Sequence, residues 1–171
     1  MTDKVLDKFF NHLMKCEGCD KVTNDPKDPG GLTKYGISKK AYPNEDIANL
    51  TLERAKELFK RDYWKVCSCD ILPDCLSVVV CDTAYNCGTV IAKKILQRSL
   101  NLVDDGIFGK KTFAAIDVIK NDRKALISCI SLYNVKRLEY YQSLKTWQTY
   151  GKGWANRCLN TLEFAKQFLP K

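Results

Sequence analysis

Apolar residues recur every three or four positions along most of this chain, which is the spacing of one face of an α-helix. The first such stripe contains Val5, Phe9 and Leu13, and it predicts a helix from about residue 3 to residue 16 that Gly18 ends. The same spacing predicts six more helices, over about residues 52–66, 73–87, 90–100, 110–119, 122–144 and 154–169. We therefore expect a mainly α-helical protein.

Glycine and proline residues mark where the helical pattern stops. Residues 20–38 contain two prolines and three glycines, and they predict a short β-hairpin or an irregular lobe. The segment DDGIFG (residues 104–109) predicts a turn, and YGKG (residues 150–153) is expected to interrupt the last two helices. Because no repeat or low-complexity linker separates these parts, we predict one compact unit, a helical body with a small β-hairpin lobe.

The charge of the chain indicates an anionic partner. The 171 residues carry a formal net charge of +8, which suits a nucleic acid, a membrane surface or a bacterial wall. The basic residues are scattered, without a run of five like charges, so we expect no specific nucleic-acid partner. The N-terminal segment lacks the apolar stretch of a signal peptide, and we expect the protein to accumulate in the cytoplasm where it is made.

Nine cysteines is a high and odd number for a chain of this length. In a protein that is not exported, most are expected to be reduced and to pack as small apolar side chains. A zinc site that joins the Cys16–Cys19 pair to the cysteines at 67, 69 and 75 is an alternative, but the spacing is irregular for zinc. We predict that no metal ion or cofactor is required.

One carboxyl group lies where a protein can keep it protonated. Glu17 falls at the predicted C-terminal end of the first helix, where unpaired carbonyl groups carry a partial negative charge. That field raises the pKa of a carboxyl group, and apolar neighbours add to the effect by desolvation. A carboxyl group that keeps its proton near neutral pH is what a general acid requires.

The segment after Glu17 carries two more carboxyl groups in a stiff loop. Asp25 and Asp28 each precede a proline, which restricts the loop to few shapes, and Thr33 adds a hydroxyl group. Glycoside hydrolysis uses a protonated acid and a second polar group across a gap the size of a sugar. We expect one aspartate to shape the turn and the other to face a cleft, and the sequence leaves open which does which.

Five segments occur in the order EGCDKVTNDPKDPGGLTKYGIS, LTLERAKELFKRDYW, VVVCDTAYNCG, ILQRSLNLVDDGIFGKKTFAAI and GKGWANR. Together they resemble glycoside hydrolase family 108, a family of lysozyme-like endolysins and muramidases. That family has a Glu-Gly-Gly-Tyr signature in which the Glu is catalytic. Glu17 and Gly18 match its first two positions, whereas Cys19 and Asp20 depart from the last two.

The resemblance implies a lysozyme-like fold with a catalytic region over residues 1–88 and a helical, peptidoglycan-binding-like region over residues 89–171. It implies that Glu17 is the proton donor. Asp25 or Asp28, with Thr33, is then expected to position water or to stabilise the developing cation. The residues expected to bind substrate are Tyr35, Asp82, Asn86 and Trp154.

Two of these assignments have alternatives. Asp82 and Asn86 lie four residues apart on one predicted helix, and they either line the cleft or satisfy buried polar groups. Trp154 is either a platform for a sugar or part of the core.

The expected activity is that of a bacteriolytic endolysin. It would cleave the β-1,4 bond between N-acetylmuramic acid and N-acetylglucosamine in peptidoglycan, work as a monomer, and reach the periplasm and the wall through a membrane-permeabilising partner such as a phage holin. The alternatives are a wall peptidase or amidase and a non-catalytic wall-binding protein. The single histidine, His12, provides too few ligands for a zinc amidase.

Overall fold

The computed structural model describes residues 2–17, 22–24 and 30–171. Within these ranges it has two β-strands, β1 (Thr33–Lys34) and β2 (Ile37–Ser38), and seven α-helices. The helices are α1 (Thr2–Glu17), α2 (Leu52–Phe59), α3 (Asp74–Cys87), α4 (Thr89–Ser99), α5 (Lys110–Ile119), α6 (Arg123–Gln142) and α7 (Trp147–Lys166). The predicted mainly α fold with a small β-hairpin lobe is confirmed.

The described chain divides into two compact units, residues 1–62 and residues 63–171. The first contains α1, the hairpin and α2, and the second contains α3 to α7. Helix α3 falls in the second unit because it packs against α4, α6 and α7. The predicted division of the chain at residue 88 stays a prediction. None of the described helices is both long and apolar enough to cross a membrane.

The first unit has an aromatic core between α1 and α2. The ring centroids of Phe9 and Phe10 in α1 lie 6.1 and 5.4 Å from that of Phe59 in α2. All three side chains are buried, and tilted ring pairs at such distances add to the stability gained from burial alone. This packing fixes α1, the helix that ends at Glu17.

The hairpin gets its shape from a two-residue turn. Strand residue Thr33 pairs with Ser38, and the turn between the strands is formed by Tyr35 and Gly36. Both turn residues have a positive φ, of 52° and 71°, which matches the turn type that the right-handed twist of a hairpin favours. An isolated bridge joins Thr23 to Thr33, so the small β element lies within the predicted range of residues 20–38.

The second helix begins as predicted but ends differently. The hydroxyl oxygen of Thr51 accepts a hydrogen bond of 3.1 Å from the backbone N–H of Arg54, which caps α2. From Lys60 to Trp64 the chain widens into a π-helical turn instead of continuing as an α-helix to residue 66. The wider turn coincides with a buried Trp64, whose indole nitrogen donates to Asp70 at 2.9 Å.

Helix α3 lies at the centre of the second unit. It follows Pro73 and ends at Gly88, whose φ of 88° favours glycine, as the sequence predicts. Ten consecutive side chains, at positions 75 to 84, are buried. A helix that is buried on all sides needs neighbours on all sides, and α4, α6 and α7 supply them.

The prediction that residues 150–153 interrupt the last two helices is wrong, because α7 runs through them. The break lies earlier, between Gln142 and Trp147. A Cβ atom on Gly151 would lie 2.6 Å from the Trp147 ring. Glycine at position 151 therefore makes room for the indole of the preceding turn and does not end the helix.

Candidate active site

The predicted catalytic carboxyl groups belong to the end of α1 and the segment after it. Glu17 is the last residue of α1, and its side chain lies outside the part of the chain that the structure describes. Asp25 and Asp28 also lie outside the described residues. The helix ends within one residue of the predicted position. Glu17 therefore lies in the last turn, whose backbone carbonyl groups have no partner within the helix.

Thr33 and Tyr35 lie on the β-hairpin. The backbone of Thr33 pairs with that of Thr23 in both directions, at 2.9 and 2.8 Å. Its Oγ1 donates to the carbonyl of Gly31 at 3.0 Å, which leaves the hydroxyl oxygen able to accept a hydrogen bond. Tyr35 is half-buried in the turn, with the ammonium group of Lys34 5.3 Å from its ring centroid. One short element therefore carries two predicted site residues.

Two other carboxylates of the first unit are held in their ionised form. Hydrogen bonds from Arg54 keep the pKa of Glu45 below its usual range. Hydrogen bonds from Arg61, and a weaker one from the hydroxyl group of Tyr42, do the same for Asp62. A general acid must carry a proton near neutral pH, so neither Glu45 nor Asp62 suits that role.

Asp82 lies in a buried ion cluster that joins α3, α6 and α7. Its side chain is almost fully buried, and the guanidinium group of Arg157 donates to both carboxylate oxygens at 2.8 to 3.2 Å. Arg137 lies 2.7 Å from the same carboxylate, and the hydroxyl of Thr161 donates to it at 3.1 Å. Burial alone raises the pKa of Asp82, but the two guanidinium groups outweigh burial and lower it.

These contacts favour one of the two alternatives for Asp82. A carboxylate with three internal partners is accounted for by the packing of the helices, without a direct contact to substrate. Asn86, which is exposed, donates from Nδ2 to the backbone carbonyl of Asp82 at 2.9 Å. The two arginines were missed at the sequence level, although a carboxylate in so apolar a helix signals that cationic partners exist. Substrate binding by this pair stays a prediction.

Trp154 is part of an aromatic cluster at the start of α7. Its ring stacks on that of the buried Tyr141, with centroids 4.8 Å apart and an interplanar angle of 18°. The rings of Tyr150 and Trp147 lie 5.6 and 6.4 Å away. Trp154 itself is half-buried and Tyr150 is exposed. The cluster thus belongs partly to the core and partly to the surface.

The turn predicted at residues 104–109 is held by one buried amide. Gln97 of α4 donates from Nε2 to a carboxylate oxygen of Asp105 at 2.7 Å and to the carbonyl of Ile107 at 3.0 Å. Its Oε1 accepts from the backbone N–H of Gly106 at 2.8 Å. Thr112, also buried, places its hydroxyl 3.5 Å from the same amide, so it braces the loop. Sequence reasoning missed Gln97, whose only signal is its place among buried apolar residues of α4.

The described cysteines are free, and six of the seven are buried. Burial raises the pKa of Cys67 and Cys75 to about 12 and that of Cys129 to about 11, so these thiols stay protonated at neutral pH. Among the residues that the structure describes, no group of three His, Cys, Asp or Glu side chains is arranged to hold a metal ion. The side chain of Cys16 and all of Cys19 lie outside the described residues.

Comparison with known proteins places these features in a family. Residues 10–88 match the family model described as Glycosyl hydrolase 108. The chain carries a glycoside hydrolase 108 domain. Residues 91–159 match the model described as Predicted Peptidoglycan domain. No curated protein matches the chain significantly.

A solved structure extends the likeness over the whole molecule. The structure of Brucella abortus SagA resembles this chain with a TM-score of 0.84 and 29% sequence identity, over 97% of this chain and 96% of that one. The resemblance inferred from the sequence motifs is confirmed, and with it the lysozyme-like fold. Together these comparisons support a glycoside hydrolase that acts on peptidoglycan.

The family matches and the packing divide the chain at different places. The family 108 match ends at residue 88, whereas the second compact unit already begins at residue 63. Helix α3 therefore belongs to the family 108 domain by sequence and to the C-terminal unit by packing. The buried cluster around Asp82 ties this helix to α6 and α7.

Proposed function

We propose that this protein, which carries a family 108 domain over residues 10–88, is a lysozyme that hydrolyses the β-1,4 bond between N-acetylmuramic acid and N-acetylglucosamine in peptidoglycan. The observation that carries the proposal is the position of Glu17, at the C-terminal end of α1 and inside the segment that matches the family. Gly18 follows it, as in the signature of the family.

Glu17 is the proton donor in this proposal. It protonates the oxygen of the leaving sugar while the bond from that oxygen to the anomeric carbon breaks, and positive charge develops on the sugar ring. The negative end of the helix dipole disfavours an ionised carboxylate, which supports retention of the proton until it is transferred.

A second group must stabilise the positive charge on the sugar or position the attacking water. Asp25 or Asp28 takes this role, as a carboxylate that stabilises the cation or activates a water. Thr33 assists by accepting a hydrogen bond from that water, because its own proton is donated to Gly31. Tyr35, at the tip of the same hairpin, offers a ring on which a sugar can pack.

The structure gives no support to a cysteine peptidase among the described residues. Burial raises the pKa of Cys67, Cys75 and Cys81, so these thiols stay protonated at neutral pH, whereas a cysteine peptidase needs a thiolate as its nucleophile. His12, the single histidine, lies inside α1 and is half-buried.

The proposal is tested with purified peptidoglycan and the full chain. We expect the turbidity of a wall suspension to fall and new reducing ends to appear at the same rate with and without a metal chelator, because no step uses a metal ion. Loss of activity on chelation that zinc restores would contradict the proposal, and so would a fall in turbidity without new reducing ends.

We also propose that the protein acts as a monomer, is held in the cytoplasm of a bacterial host, and depends on a holin-type permeabiliser. Peptidoglycan lies outside the cytoplasmic membrane, so an enzyme stored inside needs a route through it. Expression of the protein alone is expected to leave cells intact, and co-expression with a holin is expected to lyse them. Lysis by the protein alone, with its appearance outside intact cells, would contradict this dependence.

A further inference from the structure

A pocket of about 550 Å³ lies in the C-terminal unit, between the end of α4, the loop that follows it and the start of α5. Its volume falls within the range of about 300 to 1,000 Å³ that is common for sites that bind small molecules. The pocket lies within the segment that matches the peptidoglycan domain, and it contains none of the residues assigned to catalysis.

The lining of the pocket combines apolar and charged groups. Val103 and Ile107 are 84% and 69% exposed, so two branched apolar side chains face solvent at its edge. Lys110 and Lys111 supply two positive charges, and neither forms an ion pair among the described residues. Asp105 supplies one negative charge. A ligand that matches this lining carries carboxylates, an amino group and small apolar groups.

The wall that carries Asp105 is fixed before any ligand arrives. The buried amide of Gln97 donates to Oδ1 of Asp105, and the backbone N–H of Ile107 donates to the same oxygen at 2.8 Å. These bonds keep the pKa of Asp105 below its usual range, so its carboxylate is ionised at neutral pH. A prearranged wall lowers the entropy that a ligand must lose on binding.

Peptidoglycan offers two chemically different parts. Its sugar strand carries hydroxyl and N-acetyl groups without charge and does not account for two lysines beside an aspartate. Its peptide stems carry carboxylates, an amino group and the methyl groups of alanine, which match the lysines, Asp105 and the apolar edge in turn. We propose that this pocket binds the peptide stem of peptidoglycan. The inference rests on the proposed function for its choice of polymer.

Binding to the full chain is measured by calorimetry with three probes. They are the tripeptide L-Ala-γ-D-Glu-diaminopimelate, the same tripeptide with its carboxyl groups amidated, and a β-1,4-linked tetramer of N-acetylglucosamine. We expect the charged tripeptide to bind at least about tenfold more tightly than the amidated one, since each tenfold corresponds to about 1.4 kcal/mol.

Matched variants locate the binding in the pocket. Lys110→Gln combined with Lys111→Gln is expected to weaken tripeptide binding by about tenfold or more. Lys120→Gln combined with Lys124→Gln removes the same amount of charge outside the pocket. This control pair is expected to change the affinity for the tripeptide by less than about twofold.

A second pair of variants does not depend on lysine. Val103→Asp is expected to repel the carboxylates of the tripeptide, whereas Val118→Asp, at a site that is 82% exposed and outside this pocket, is expected to leave binding unchanged. Because both valines are exposed, neither change should disturb folding.

Several outcomes would overturn the inference. One is equal affinity for the charged and the amidated tripeptide. Another is an equal loss of tripeptide affinity in the pocket variants and the control variants, and a third is binding of the sugar tetramer alone. Wall hydrolysis without any tripeptide binding would contradict this inference only. Tripeptide binding that depends on Lys110 and Lys111, without cleavage of the sugar strand, would support it while contradicting the proposed function.

Discussion

Replacement of Glu17 by Gln is expected to lower the rate of peptidoglycan hydrolysis by at least about 10² to 10⁴-fold, the usual contribution of a general acid. The amide has almost the same size as the carboxyl group but cannot donate a proton in the way that the leaving sugar requires. The measurement is the release of new reducing ends from purified peptidoglycan, with wild type and variant at equal concentration.

Two controls make this result specific to the proton. The melting temperature of the Glu17→Gln variant should stay close to that of the wild type, because the change is nearly isosteric. Glu53→Gln, an exposed position in the first turn of α2, removes one negative charge from the same unit and should keep full activity. A Glu17→Gln variant that cleaves the wall at the wild-type rate would rule out Glu17 as the acid.

Replacement of Asp82 by Asn is expected to destabilise the C-terminal unit by about 3 to 5 kcal/mol, because it leaves two arginines beside a group without charge. For a chain of this size that loss corresponds to a fall in melting temperature of roughly 6 to 20 °C. The three tryptophans, at positions 64, 147 and 154, all lie in the second unit, so their fluorescence reports its unfolding.

Asp104→Asn is the matched control for this prediction. Asp104 also pairs with an arginine, Arg98, at 2.6 Å, but both partners are partly exposed. A pair of this kind contributes at most about 1 kcal/mol, so the control should melt within a few degrees of the wild type. Equal melting temperatures for the Asp82 and Asp104 variants would show that the buried cluster contributes little to stability.

The pKa of Asp82 also sets how the difference in unfolding free energy between the wild type and the Asp82→Asn variant depends on pH. Because its pKa is lower in the folded protein than in the unfolded chain, its contribution is fully present above about pH 4, the usual value for aspartate. The contribution is lost as the pH falls through the lower, folded-state pKa. The gap between wild type and the Asn variant should therefore be constant at neutral pH and narrow only in strong acid.

Local signals in the sequence were enough to place most helices and the hairpin. The cap at Thr51 and the end of α3 at Gly88 are formed by residues within a few positions of the feature itself. Glu17 was placed at a helix end for the same reason, since the apolar stripe of α1 stops there. Such features depend on local backbone geometry and on one apolar face.

The features that were missed depend on contacts that the local pattern does not contain. Gly151 lies within α7 because an indole ring occupies the space of its missing side chain. The partner of Asp82 on α7, Arg157, is 75 residues away in the chain. Nothing in the spacing of Gln97 shows that its amide holds a loop ten residues further on. These contacts follow from how the helices pack.

Mass spectrometry of the soluble fragments from a digest of purified peptidoglycan decides which bond the protein cleaves. We expect disaccharide units with intact peptide stems and N-acetylmuramic acid at each new reducing end, and we expect these fragments to be absent from the digest with the Glu17→Gln variant. Fragments that end in N-acetylglucosamine, or fragments with cut peptide stems and an unbroken sugar strand, would contradict this expectation.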